Sequence, residues 1–450
     1  MNRAMILIFI LLLPVISFSQ GAAQLKKRIF IITTSSDNFS VRPASTYHYH
    51  AKNVLLNSKE YQLIEAELAL ENGNITPNKK LCAEANTYYA TGKKQFENMD
   101  LDAALGSMSK AFGNYLKCPA YIGNGVEYLE TLKMLGAIYM LNGEEKMGKE
   151  MFRKALIFNL ETSINKDLFP PNVVAAFEKL KSEVSTMKRG SINITTIPQG
   201  AEVFVDGVFA GISPVIKKDV IVGNHFISVI KDGYLNEGGR VDVKANDEEM
   251  FQAQLIPTKR YAEYSQILAT LQTDVSLDPI GESIKSLAAI TGADTIFANI
   301  IRRDGMEIVV DAYLFDIASK SRLYNTQKRF AYPIKDAESE ITPFILEFLS
   351  GKAVTKEVQP VSTVITPKTL KPVEREIPEC KIDADCKSGF ICNKSGKCVQ
   401  RDEQKEKEFY KQWWFYTAAG GALLLITGGT ILLWPSEEGS DQEGIINFKF

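Results

Sequence analysis

The sequence predicts a multidomain α+β protein: helical repeat hairpins, a small all-β sandwich, a mixed α/β domain, a Cys-rich knot and one C-terminal transmembrane helix. Three observations carry that prediction. The chain has 450 residues, well beyond the size at which a single core stops growing. Asp206-Gly207 stands between the β-rich runs EVFV and VFAG, a strong hairpin signal because a type I′ turn needs positive φ at both central positions. An uncharged apolar stretch from Trp413 to Trp434, with tryptophans at both ends, is long enough as a helix for a hydrocarbon core of about 30 Å.

In chain order, residues 1–19 read as an export signal. Arg3 gives the positive start, Met5 to Ile16 the apolar core and Ser17-Phe18-Ser19 a small-x-small cleavage site. Cleavage after Ser19 and after Ala23 both fit. Residues 24–74 then hold a strand, RIFIITT, a helix from Ala44 to Leu56 and a second strand around Tyr61 to Ala66. That is too little chain for a core of its own. Residues 258–350 supply a helix, a Gly292 stop, three strands around an Asp304-Gly305 turn and a closing helix after Pro333. Joined, the two segments read β-α-β-α-β-β-β-α, and the expectation is that Ile29 to Ile32 pair with a strand between Asp294 and Phe330. The helix-GAD-strand-hairpin order resembles the N-terminal domain of the TolB family of bacterial envelope proteins, which implies the same succession.

Residues 75–187 are helical. TLKMLGAIYMLNGEEKMGKEMFRKALIF carries Leu135, Gly136, Tyr139, Phe152 and Ala155, and TGKKQFENMDLDAALGSMSKAF carries Gly92, Ala104 and Ala111. These positions resemble the tetratricopeptide repeat, in which small residues mark the contact of two helices and aromatics fill the gaps. The first unit lacks the aromatic expected at Gln95, and an insertion near CPAYIGNGVE must bulge out. Its two helices should turn near Met99-Asp100, which brings Cys82 and Cys118 together at the open end as a disulfide.

Residues 190–256 alternate strand runs with turn signals: Pro198, Gln199, Gly200 and Ala201, then Asp206-Gly207, Pro214, Gly223-x-His225 and Gly233-Tyr234. The unit resembles the PEGA domain, with Gln in place of Glu in the Pro-x-Gly-Ala motif. These residues are read as specifying fold, and His225 as a satisfied strand residue.

Residues 351–378 form a Pro/Thr-rich spacer. Residues 379–399 hold Cys380, Cys386, Cys392 and Cys398, a disulfide module with three pairings open and zinc as the rival. A charged juxtamembrane segment, 400–412, precedes the apolar stretch 413–434, and a short tail, 435–450, ends the chain. Lys and Arg before that stretch oppose the orientation set by the signal; the signal and the cysteines are given precedence.

Lys and Arg number 52 against 54 Asp and Glu, so no net field recruits nucleic acid. There is no G-x-S-x-G, H-E-x-x-H or phosphate-loop motif, and of only three histidines His48 and His50 could share one strand face for a metal. No cofactor, metal or catalytic residue is assigned. The expected function is that of a membrane-anchored, exported bacterial envelope protein that binds or scaffolds envelope proteins or cell-wall and surface polymer without catalysis. An envelope enzyme or carbohydrate-processing factor with its site in 258–350, and a membrane sensor, are the alternatives.

Overall fold

The computed structural model describes residues 26–334, 336–351, 390–392 and 398–400. In chain order it gives β1 (Lys27–Ser35), α1 (Val41–Leu56), β2 (Tyr61–Leu63) and α2 (Ala66–Leu70). Five helices follow: α3 (Pro77–Glu97), α4 (Leu101–Tyr115), α5 (Val126–Leu141), α6 (Glu145–Phe158) and α7 (Pro171–Ser185). Next come seven strands: β3 (Arg189–Ile197), β4 (Glu202–Val205), β5 (Val208–Ile212), β6 (Val215–Ile221), β7 (Gly223–Ile230), β8 (Glu237–Val243) and β9 (Glu248–Gln254). The remainder of this unit is α8 (Tyr261–Asp274), α9 (Glu282–Thr291), β10 (Thr295–Asp304), β11 (Glu307–Asp316), β12 (Ser321–Ala331) and α10 (Ala337–Leu349). The chain divides into two compact units, residues 1–362 and 363–450. In the second, β13 (Phe390–Cys392) and β14 (Cys398–Gln400) pair antiparallel with Cys392 opposite Cys398 along the backbone. Cys380 and Cys386 lie outside the described residues, and so do the signal, spacer, juxtamembrane and tail segments.

The first and last segments of the larger unit share one sheet of order β12-β11-β10-β1-β2. β1 runs parallel to β10 with Ile29 opposite Thr295 and Ile32 opposite Ala298, and parallel to β2 on its other side. Alternation along β1 sends Ile29 and Ile31 to one face, against α1 and α10, and Phe30 and Ile32 to the other, against α8 and α9. Both faces are covered, so β1 and β10 read as continuous apolar runs. Everything from α3 to β9 is inserted between β2 and β10.

The helices of the insertion pack as antiparallel hairpins. α3 starts at Pro77 with Thr76 capping Lys79 N, and α4 starts with Asp100 capping Ala103 N. Between them Met99 takes φ +62°, which reverses the chain at the expected position. Cys82 and Cys118 are disulfide-bonded, with Cα atoms 5.7 Å apart. The seven strands form two sheets, β6-β3-β9 and β5-β4-β7-β8, over a core that includes Ile192, Ile194, Val203, Ile227 and Val229.

The fold class read from the sequence needs one correction. Among the described residues the protein is α+β, and no helix is long and apolar enough to cross a membrane. The longest, α3, carries lysines along its length, and the largely apolar α5 is only 16 residues and about 24 Å long. Its apolar surface is covered by neighbouring helices, not offered to lipid. The stretch 413–434 lies outside the described residues.

Candidate functional site

The Pro-Gln-Gly-Ala turn after β3 is built around a serine that the sequence reading did not single out. Ser213 Oγ accepts from Ala201 N at 3.0 Å and lies 2.6 Å from Thr196 Oγ1, while Gly200 N donates to Ser213 O at 3.0 Å. Gly200 has φ +86°, and a Cβ there would meet Val41 of α1 at 3.1 Å and Lys231 Nζ at 3.2 Å. Ser45 of α1 donates to the Gly200 carbonyl at 2.9 Å. The motif turn is therefore a contact between the β sandwich and the α/β domain.

Asp206 and Gly207 take φ 51° and 77°, the positive pair a tight hairpin demands. Asp206 is also a buried acceptor: His225 Nδ1 lies 2.5 Å from its Oδ2, and Phe226 N donates to its Oδ1 at 2.9 Å. The other ring nitrogen of His225 sits 2.7 Å from the Ile221 carbonyl. Burial raises the Asp206 pKa against the pull of His225. For His225 burial acts downward, and the Asp206 hydrogen bond and charge outweigh it, leaving its pKa raised. A Cβ on Gly207 would strike Asn124 backbone atoms at 2.6–2.9 Å, so the hairpin tip lies against the bulge between α4 and α5. Phe226 adds an aromatic contact to Tyr128 with centroids 4.8 Å apart. On the same outer face of the four-stranded sheet Tyr49 of α1 stacks on Phe209 at 3.7 Å. Gly223 abuts Ile157, and Gly233 abuts Tyr261 and Tyr264.

The repeat-type positions meet inside the helical unit. Gly136 of α5 faces the Phe152 ring of α6, where a Cβ would lie 2.4 Å away, and Gly92 of α3 faces Met108 of α4 at 3.0 Å. Ala104, Ala111, Leu135 and Ala155 are buried, and Tyr139 is half-buried. Next to Gln95, Phe96 is buried with its ring 5.6 Å from that of Phe169.

Where α1, α8 and the sandwich converge, a cleft of about 390 Å³ opens at the carboxyl end of β1. Its walls come from Thr33 to Ser35, from Val41, Ser45 and His48 of α1, from Tyr261 and Tyr264 of α8, and from the Pro198–Gly200 turn with Lys231, Asp232 and Tyr234. The charges around it are mostly matched. Lys52 Nζ donates to both Glu202 oxygens at 2.9 and 3.0 Å. His48 Nδ1 lies 3.0 Å from Thr33 Oγ1, and its Nε2 lies 3.0 Å from Asp232 Oδ2 in an ion-pair contact poorly aligned for a hydrogen bond. Burial alone would raise Asp232; His48, Lys52 and Lys231 overcome it and bring its pKa down to about 2. Lys231 is pushed down by burial, and its ammonium has only a 3.4 Å contact to the Gly200 carbonyl, with no carboxylate at ion-pair distance among the described residues.

The two-histidine idea fails on geometry. TYHYH lies on α1, not on a strand, and residues two apart on a helix point to different sides. His48 faces Asp232, whereas His50 is influenced by Glu338 and Asp336 beside α10. The sequence reading missed the cleft because its groups come from three separated segments.

The PEGA domain family matches residues 189–259, from β3 to just beyond β9. No curated protein matches the chain.

Proposed function

We propose that the protein is a non-catalytic binding or scaffolding component of the bacterial cell envelope. The observation that carries this reading is the PEGA domain at 189–259, a module of surface- or envelope-associated type. The outer face of its four-stranded sheet is occupied by the protein's own helices, through Phe226 against Tyr128 and Phe209 against Tyr49. Its three-stranded sheet has a different outer face. Ile216, Asn193 and Met250 stand side by side across β6, β3 and β9, and both Ile216 and Met250 are exposed. Two exposed apolar side chains flanking an amide on an open sheet face suit a protein or polymer surface better than a small molecule.

Export follows from the signal-like start and agrees with the Cys82–Cys118 disulfide, since such bonds persist in oxidising compartments. The partners are envelope proteins or cell-wall and surface polymer. The test offers the purified chain intact cell-wall material and soluble envelope protein separately, beside a variant carrying Ile216→Asp and Met250→Asp. Retention on one of them, lost in the variant, supports the proposal. Release of soluble fragments from the cell-wall material by the protein would replace it with an enzymatic reading.

A further inference from the structure

β1 is the point at which the parallel part of the sheet changes direction. From it the chain goes through α1 to β2 on one side, while β10 lies on the other, and α1 and α8–α9 cover opposite faces. In open α/β sheets the crevice beyond the carboxyl end of such a strand is where ligands bind, because the flanking helices diverge there. The cleft of about 390 Å³ sits at that place, beyond Thr33 to Ser35, and its volume is in the range of small-molecule sites. The sandwich roofs it with the Pro198–Gly200 turn.

One lysine of the lining, Lys231, has no carboxylate at ion-pair distance among the described residues. Of the two basic groups in the lining, His48 faces Asp232, while Lys52 lies outside the lining and pairs with Glu202. The ammonium of Lys231 is held over the Gly200 turn with a single long contact, so its remaining N–H donors are available to the cleft. Around it stand the Ser45 hydroxyl and the rings of Tyr261 and Tyr264, with Ala44 and Leu268 adding apolar wall. We propose that this cleft is a binding site for a small molecule bearing one carboxylate, its charge met by Lys231 and its apolar part laid against the tyrosines. A single ammonium suits a monoanion, and no arginine lines the cleft to offer the planar fork that phosphate recognition favours. Such binding is a property of the cleft alone and does not depend on the envelope role proposed above.

Calorimetric titration of the full chain tests it with four probes: benzoate, a short peptide with a free C-terminus, the same peptide amidated, and inorganic phosphate. Saturable binding of benzoate and the free peptide identifies a small-acid site; binding of the free peptide alone identifies a site for a chain terminus. Lys231→Met is expected to weaken the carboxylate probes at least about tenfold, and Lys231→Arg to keep them within about threefold. Lys231→Gln serves if the methionine variant does not match the wild-type melting curve. No saturable binding of either carboxylate, equal affinity for the amidated peptide, tighter binding of phosphate, or an unchanged affinity in a folded Lys231 variant would each overturn the proposal.

Discussion

Asp206 is a turn residue and a buried acid at once. Its positive φ closes the β4–β5 hairpin while its carboxylate holds His225 and the Phe226 amide. Removing the imidazole leaves that carboxylate buried with one donor, so His225→Ala is expected to lower stability by about 3–5 kcal/mol in chemical denaturation. The pH dependence has a definite sign. His225 has its folded pKa above its ordinary value of 6.5, so its contribution is complete below that pH and is lost as pH rises through the folded value. Asp206 is raised above its ordinary 3.8, so its contribution also falls as pH rises, but from that lower pH upward; the decline above 6.5 is carried by His225. Melting temperature should therefore fall from pH 6.5 towards the alkaline side, and His225→Ala should flatten the curve. Aspartate and glycine as hairpin formers were legible in the sequence. The buried pairing was not, because His225 approaches Asp206 across a strand register that no local pattern encodes.

Helices α5 and α6 touch where Gly136 meets Phe152, and the close approach explains why small and aromatic residues recur there. Gly136→Ala is expected to cost about 1–3 kcal/mol by overpacking, with Phe152→Leu in the same chain recovering part of the loss. A thermal melt of the single and double variants checks this. The hairpin of α3 and α4 is closed by Cys82–Cys118, which are 36 residues apart. Replacing both by serine should destabilise by about 3–4 kcal/mol on the chain-entropy account, and mass spectrometry without reductant should find the bond in the native chain. The turn at Met99 and the cysteine pairing could be read in advance because helix length and turn position fix which residues lie level. β6, β8, β9 and α8 were not resolved from the sequence. Their alternation is blurred: Lys217 and Lys218 interrupt β6, and β8 begins with Glu237, Gly238 and Gly239.

At the scale of the molecule, two segments with no core of their own become one domain through β1. Deleting residues 24–74 removes a central strand and both helices that follow it, leaving β10 with an open, apolar edge. The truncated chain is expected to lose amide protection over Ile296 to Ile301 and to aggregate, while α5 and α6 keep theirs; hydrogen exchange read by mass spectrometry separates the two. The sequence reading located both halves because each lacked what the other held. It could not see the cleft their union makes with the sandwich, since Thr33, Gly200, Lys231 and Tyr261 are adjacent only after every unit has docked.

The insertion also sets an order in time. Arg28 and Asp294, which meet beside the first rung of the parallel pair, are 266 residues apart in sequence. During synthesis or export β1 therefore emerges long before β10, and the helical hairpins and sandwich, rich in nearer contacts, can close while β1 still has no partner. Ile29 to Ile32 spend that interval as an apolar strand with an unsatisfied edge, the kind of segment that holding factors shield and that self-association punishes. Pulse-labelled exchange during refolding should find α5 and α6 protected first and Ile29 to Ile32 last, with late protection at Phe297 and Ala298 in step with it.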